Sequence, residues 1–336
     1  MAPTICVCGG GHKAHIVDKL LQSTIQDAVA SIVSGTDSHA FAATKAENDG
    51  LILFVFGPAA HAVIKDLCDD YGKEQRRVKL IYSMSAGVDA YRLSELKEEL
   101  AGIPFCNAQG CYSNILAEHV AFSMMYFNRF PWRIVGSKHE KKWDRFNMVE
   151  LRGQKAVVIG YGDIGQACGQ KAVALGMHVT GIRRSGDNTT DKFGVMVRGN
   201  DALDECVREA DFVIGVLPGT EHTKHFFNKA FFANMKPSAV FINIGRGVSQ
   251  CEVDLIDALD NDVIRGAAVD VFEVEPLPKE SPMWDVPDSK LLLSAHTADM
   301  TGDLVERSAA RFVSIFGDYR THGKVTAHTV CTTKGY

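Results

Sequence analysis

One short segment constrains this chain more than any other. Val157-Val158-Ile159-Gly160-Tyr161-Gly162-Asp163-Ile164-Gly165 is an apolar strand run that turns through G-x-G-x-x-G into a helical pattern. Downstream, Ile164, Ala167, Cys168, Ala172 and Leu175 fall on one helical face. Gly176 follows where a helix end takes a left-handed residue. Gly160 allows the tight turn, Gly162 lets a pyrophosphate approach the backbone, and Gly165 lets the helix pack on its sheet. Asp163 and Ile164 open the helix, whose free N–H groups and partial positive charge suit phosphate. A bare G-x-G-x-x-G is a weak signal. Its place between strand and helix makes a dinucleotide site the reading, against a close-packed turn without ligand.

The rest of the chain repeats that alternation. With 336 residues, and roughly 150 per domain, two domains are expected. Strand candidates in the first part are Ile5–Cys8, Ile52–Phe56, Val78–Tyr82 and Ile103–Cys106. Helical patterns cover Ala60–Asp69 and Leu93–Leu100. A longer helical segment runs from Tyr112 to about Asn128, and Lys138–Arg145 reads as solvated. The second series has strands at Ala156–Ile159, His178–Ile182, Phe212–Val216, Ala239–Asn243, Gly266–Val269 and Leu291–Ser294. Its helices are Ile164–Leu175, Asp201–Glu209, Asn228–Ala233 and Val253–Leu259. Strands apolar on both faces require a covered parallel sheet. The fold class is therefore α/β, with doubly wound parallel sheets. The tail from about Gly302 is too short for a domain and is expected to return to the first, which makes that domain discontinuous: 1–107 with 300–336, around 108–299.

A second glycine run, Cys8-Gly9-Gly10-Gly11-His12-Lys13-Ala14, reads as a flexible turn, and Cys6 and Cys8 as buried thiols on one strand face. Lys plus Arg is 36 against 41 for Asp plus Glu, a net charge of −5 that leaves no basic field for nucleic acid. Nine scattered cysteines without a CxxC pair give no metal site and suggest free thiols in a reducing compartment. No apolar run approaches a membrane span, and the first residues show no secretory pattern, so a cytoplasmic protein is expected.

Cofactor choice is read after the second strand of the coenzyme series. The chain there is Ile182-Arg183-Arg184-Ser185, where NAD-binding proteins usually place an acid. Two guanidiniums and a hydroxyl suit a 2′-phosphate, so NADP(H) is favoured and NAD(H) remains possible. The later strands lead into Leu217-Pro218-Gly219-Thr220, Gly245-Arg246-Gly247, Asp270 with Glu275 close behind, and His296. The carboxyl ends of such strands converge on one crevice. Arg246 can grip a carboxylate and polarise its carbonyl, His296 can move a proton, and Glu275 can favour the imidazolium. Taken singly, each has a structural reading as a core histidine, a loop carboxylate or a phosphate contact.

Together these motifs resemble the D-isomer-specific 2-hydroxyacid dehydrogenase family over nearly the whole chain. The resemblance rests on the Gly160–Gly165 turn, Asn243-Ile244-Gly245-Arg246-Gly247, Val269-Asp270-Val271-Phe272-Glu273-Val274-Glu275-Pro276, Ser281-Pro282-Met283-Trp284 and Ser294-Ala295-His296-Thr297-Ala298. Ser85-Ala86-Gly87-Val88-Asp89, Ala117-Glu118-His119 and the ending Lys334-Gly335-Tyr336 add to it. It implies a Rossmann coenzyme domain inserted in a smaller flavodoxin-like substrate domain. It also implies Arg246 as substrate anchor, His296 as acid–base with Glu275 as partner, Ala86 and Gly87 as carboxylate-binding N–H groups, and Asp270 near the nicotinamide. Leu217, Pro218, Thr223, Ile244 and His296 complete the implied cofactor contacts. The substrate class is a small 2-oxoacid or 2-hydroxyacid. A homodimer through the coenzyme domain is implied, involving the Tyr112–Arg129 helix and the segment around Trp143. Arg183 departs from NAD-dependent members and resembles the NADPH-using glyoxylate and hydroxypyruvate reductases. The rival reading is a cofactor-sensing interaction protein of the same fold.

Overall fold

The computed structural model describes residues 2–46, 50–69 and 77–332; the Lys334-Gly335-Tyr336 ending lies outside them. The chain divides into two compact units, Met1–Tyr112 with Thr301–Tyr336, and Ser113–Met300.

The first unit opens with β1 (Thr4–Cys8), α1 (Gly11–Ile25), β2 (Ser31–Gly35), β3 (Leu51–Val55), α2 (Ala60–Asp69), β4 (Val78–Ser83) and the two-residue β5 (Phe105–Cys106). The five strands run parallel in the order β2-β1-β3-β4-β5, the flavodoxin-type winding. Every residue of β1 and β3 is buried, as a sheet covered on both faces demands. Cys6 and Cys8 share one core with Leu53, Val55 and Ile81. Burial, with Asp37 adding, pushes the Cys8 thiol up to about 12 and keeps it protonated. Of the nearby glycines, Gly9 serves packing: a Cβ there would lie 2.2 Å from the Phe56 ring.

The second unit holds α3 (Ser113–Arg129), α4 (Pro131–His139), β6 (Lys155–Ile159), α5 (Asp163–Ala174), β7 (His178–Ile182), β8 (Thr189–Thr190), β9 (Met196–Arg198), α6 (Leu203–Glu209) and β10 (Phe212–Gly215). It continues with α7 (Lys229–Ala233), β11 (Val240–Asn243), α8 (Glu252–Asp260), β12 (Gly266–Val269) and β13 (Leu291–Leu293). Its sheet runs β13-β12-β11-β10-β6-β7-β9-β8, parallel except for the antiparallel edge strand β8. The order reverses between β6 and β10, the switch point at which doubly wound sheets bind ligands. Phe227, Phe232 and Phe241 pack with centroids 4.8 and 5.3 Å apart in the core beside β10 and β11. Each such ring contributes about 1.5–3 kcal/mol by burial.

The chain then returns to the first unit as α9 (Leu304–His322). Phe312 stands 5.2 Å from Phe54 and 5.4 Å from Tyr82, and the Tyr82 hydroxyl bonds to the Ser308 carbonyl at 2.9 Å. Gly323, at φ +66°, ends the helix.

Several expectations are corrected. Leu93–Leu100 is not a helix: Arg92 takes a left-handed φ of 45°, and only a 3₁₀ turn, Leu93–Glu95, forms beside it. The leucines are buried all the same. Ile103–Cys106 shrinks to β5. Asp201–Glu209 begins as a 3₁₀ turn, with α6 proper starting at Leu203. The solvated reading of Lys138–Arg145 holds: all but Asp144 are exposed, and Lys138 and His139 end α4. The six-strand count for the coenzyme sheet omitted β8 and β9, and β2 was omitted from the first sheet. These strands are short or half-buried, so their side chains do not show the apolar run that marks a central strand.

Candidate active site

The glycine turn divides by what each glycine faces. Gly160 has φ +96°, and a Cβ there would lie 2.4 Å from the Val216 carbonyl oxygen. A Cβ on Gly165 would lie 2.4 Å from the Gly160 carbonyl oxygen. Both positions are closed by the protein itself. A Cβ on Gly162 meets nothing within 4 Å. No protein atom demands glycine at 162, so the open space fits a group that approaches from outside, as a pyrophosphate does. The first helical bond of α5 runs from Gln166 N–H to the Gly162 carbonyl at 2.9 Å. The N–H groups of Asp163, Ile164 and Gly165 precede it and have no partner within the helix. The Asp163 carboxylate is held by the Ser113 hydroxyl.

Arg183 follows β7 directly. Its Nε donates to the Tyr161 carbonyl at 3.1 Å, and its guanidinium lies 5.6 Å from the Tyr161 ring centroid. The structure thus brings Arg183 to the glycine turn. Arg184 and Ser185 are exposed beside it. The two arginines bring positive charge to this turn, with the Asp187 and Asp191 carboxylates close enough to act on Arg183.

The loop after β10 begins at Leu217 and Pro218. Thr223 closes it: its hydroxyl donates to the Pro218 carbonyl at 2.5 Å and accepts the Thr220 N–H at 2.9 Å. The loop after β11 carries buried Ile244, then Arg246 between two glycines. A Cβ on Gly245 would lie 2.6 Å from the Leu217 carbonyl oxygen, and one on Gly247 only 1.9 Å from the Phe272 backbone. Three successive loops are therefore in backbone contact around Arg246. The Arg246 carbonyl accepts the Ser249 hydroxyl at 2.6 Å and the Asn243 amide at 3.3 Å.

Asp270, 2% exposed, sits at the end of β12. Its carboxylate accepts the Ser294 hydroxyl at 2.7 Å, the Thr297 N–H at 2.9 Å and the Ala298 N–H at 3.1–3.2 Å. Its carbonyl accepts the His296 N–H at 2.8 Å. These bonds hold the turn in which His296 adopts φ 49°, uncommon for a residue with a Cβ. His296 Nδ1 lies 2.7 Å from Glu275 Oε2, and Glu275 Oε1 accepts the Phe272 N–H at 2.9 Å. The bond to Glu275 raises the His296 pKa; burial and Arg246 oppose this, and Asp270 assists. Burial raises the Glu275 pKa, but the His296 bond and the Phe272 N–H outweigh it, so the net shift is downward. Glu275 thus takes Nδ1 of an imidazole whose side chain is 44% exposed. Arg246, Glu275 and His296 are thus brought together electrostatically, as expected from their strand ends.

Ala86 and Gly87 belong to the first unit, in the turn after β4, where the Ala86 carbonyl accepts the Asn107 amide at 2.6 Å. Sequence reasoning missed four groups. Asn243, Ser249 and Gln250 form a buried network under Arg246. His225, Glu252 and Glu273 form another. His119 lies 3.5 Å from the Ser294 hydroxyl, its pKa lowered by burial against the pull of Asp270. The Asp299 carboxyl is raised by burial, with His296 opposing. The only signal for the second group was Glu273, two residues before Glu275.

A parallel sheet wound in this order, with a strand–glycine turn–helix at its switch point and a histidine–carboxylate pair beyond its strand ends, defines a dinucleotide-dependent α/β protein. Residues 122–298 match the family model described as D-isomer specific 2-hydroxyacid dehydrogenase, NAD binding domain. The chain belongs to the D-isomer-specific 2-hydroxyacid dehydrogenase family. It is 38% identical over 154 residues to a probable 2-ketogluconate reductase of Dictyostelium discoideum, covering 46% of this chain and 45% of the relative. It is 44% identical over 133 residues to glyoxylate/hydroxypyruvate reductase B of Klebsiella pneumoniae subsp. pneumoniae, covering 39% and 40%. The matches thus span less than half the length of these two relatives. Among solved structures, it resembles an NADPH-dependent glyoxylate/hydroxypyruvate reductase from Sinorhizobium meliloti in complex with NADP and sulfate. That match has a TM-score of 0.79 and 25% identity, and covers 100% of both chains. No helix among the described residues is long and apolar enough to cross a membrane.

Proposed function

We propose that the chain reduces a small 2-oxoacid to the D-2-hydroxy acid with NADPH. The observation that carries the reading is the 2.7 Å contact between His296 Nδ1 and Glu275, with the histidine pKa raised and the carboxyl pKa lowered. Those shifts favour an imidazolium–carboxylate pair. The bound cofactor supplies the hydride. His296 donates a proton from Nε2 to the carbonyl oxygen of the substrate, while Glu275 holds the ring through Nδ1. Arg246 grips the substrate carboxylate and stabilises negative charge developing on the carbonyl oxygen. Ala86 and Gly87 of the first unit would offer backbone N–H groups to a carboxylate. Gly160, Gly162 and Gly165 with the α5 N-terminus hold the pyrophosphate, and Arg183, Arg184 and Ser185 hold the 2′-phosphate. Leu217, Pro218, Thr223, Ile244 and Asp270 line the remainder of the cofactor site. The NADP bound to the Sinorhizobium meliloti reductase supports the cofactor choice.

We further propose a homodimer through the second unit. Phe122, Ile134, Val135 and Trp143 are exposed there, Trp143 to 93%; sedimentation equilibrium of Trp143→Ser against wild type tests it. None of the nine cysteines forms a disulfide, which fits a cytoplasmic setting.

The test is absorbance at 340 nm with NADPH or NADH and glyoxylate, hydroxypyruvate, pyruvate and 2-ketogluconate. Oxidation of NADPH with one oxoacid preferred is expected. Arg183→Asp should weaken NADPH far more than NADH. Oxidation of NADH alone would overturn the Arg183 argument and leave the catalytic one standing. Binding of NADPH without turnover of any oxoacid would overturn the reductase reading in favour of a sensing protein.

A further inference from the structure

The strands β10, β11 and β12 each run into a loop that carries part of the site: 217–227 with Pro218 and Thr223, 244–252 with Arg246, and 270–276 with Asp270 and Glu275. The first two loops are joined by backbone. His225 N–H donates to the Val248 carbonyl, Phe227 N–H to Ser249, and Cys251 N–H back to Phe227, each at 2.9 Å. The third loop is tied to both by one side chain. Glu273 Oε1 accepts the Glu252 N–H at 2.8 Å, and Glu273 Oε2 lies 3.0 Å from His225 Nε2. Glu252 returns the bond, its Oε1 accepting the Glu273 N–H at 2.7 Å. His225 holds φ 48° at its end of the contact, a conformation that costs free energy unless its surroundings enforce it.

We propose that Glu273 is a positioning residue that clasps these three loops in register, with His225 as its partner on the loop after β10. The inference rests on the reductase reading above. The N–H groups of Phe272 and Glu273 are both taken by carboxylates, Glu275 and Glu252 in turn. Gly247 lies against the Phe272 backbone with no room for a Cβ. A shift of residues 272–273 therefore moves Arg246 on one side and Glu275, with His296, on the other. The side chains of His225 and Glu273 are 42% and 30% exposed. A pair so exposed contributes little to stability. Its effect falls on geometry, where a misplacement of about 1 Å costs up to roughly 100-fold in rate.

The test compares Glu273→Ala, Glu273→Gln, His225→Ala and the double alanine variant by steady-state kinetics, NADPH-binding titration and thermal melting. Glu273→Ala is expected to lower kcat for the oxoacid about 10- to 100-fold and to weaken NADPH binding. Glu273→Gln should recover most of this, because its amide oxygen still accepts the Glu252 N–H and its amide nitrogen still reaches His225 Nε2. The double variant should be no worse than Glu273→Ala, the non-additivity of a coupled pair. If Glu273→Ala does not fold, Glu273→Gln and His225→Ala carry the comparison. A lowered melting temperature with kcat, KM and NADPH affinity unchanged would overturn the proposal, as would additive effects of the two substitutions. If wild type turns over no oxoacid, the reductase reading fails, and the NADPH titrations still decide the clasp: weakened binding in Glu273→Ala supports it and unchanged binding overturns it.

Discussion

Replacing the three glycines of the 160–165 turn one at a time separates what the fold needs from what a ligand needs. Gly160→Ala places a methyl at φ +96°, 2.4 Å from the Val216 carbonyl oxygen. The left-handed half of φ/ψ space costs an alanine about 1–2 kcal/mol, and the overlap adds about 1–3 kcal/mol more. About 3 kcal/mol in total lowers the melting temperature of a unit this size by roughly 6–12 °C. Gly165→Ala meets the Gly160 carbonyl at the same 2.4 Å but carries no left-handed cost, so its loss is the overlap alone, about 1–3 kcal/mol. Gly162→Ala is different. Its backbone, φ −88° and ψ −150°, lies at the edge of the extended region, and the new methyl touches nothing. The apo protein should therefore melt within about 2 °C of wild type, the span of a change under roughly 0.5 kcal/mol. The methyl would occupy the space assigned to the pyrophosphate, so NADPH should bind at least about tenfold more weakly, or about 1.4 kcal/mol. Differential scanning fluorimetry without ligand and nicotinamide-fluorescence titration read the two quantities separately. A Gly162→Ala protein that melts as low as Gly160→Ala, or that binds NADPH like wild type, would refute the assignment.

Oxoacid reduction should fall as pH rises through the raised pKa of His296, because the proton donor is then lost; Glu275→Gln removes the main cause of that elevation and should move the alkaline limb to lower pH, and an unmoved limb counts against the pair. His296→Ala should cut kcat by about two to four decades, read by the 340 nm assay. The same pair sets a stability window. The raised His296 pKa contributes below the ordinary imidazole value of 6.5 and is lost as pH rises through the folded value. The lowered Glu275 pKa contributes above the ordinary carboxyl value of 4.5 and is lost as pH falls through the folded value. Urea unfolding of wild type and His296→Ala should therefore differ most between pH 4.5 and 6.5. Asp270→Ala leaves the Thr297 and Ala298 N–H groups without their acceptor and should cost at least about 2 kcal/mol, with faster amide exchange at both residues; wild-type exchange there would refute the role.

Much of the architecture was legible in one dimension. Central strands such as β3, β10 and β12 are buried on both faces, so they must be written as unbroken apolar runs, and a run of that kind survives any rearrangement of its neighbours. The glycine turn was legible because a strand, a tight turn and a helix are contiguous in the chain, and each imposes its own residue types. Arg246, Glu275 and His296 were legible as strand-end polar groups, since a parallel sheet sends every carboxyl end to the same edge. Edge elements were not: β2, β8 and β9 owe their pairing to a neighbour rather than to a pattern of their own. The leucines of 93–100 have helical spacing, and only the left-handed turn at Arg92 diverts them. Tertiary structure alone decided which polar groups meet across loops. It put Asp270 under the N–H groups of Thr297 and Ala298, Gly247 on the Phe272 backbone, and Glu273 between His225 and Glu252. A hydrogen bond between loops depends on where two backbones arrive, and no local propensity or periodicity encodes that distance.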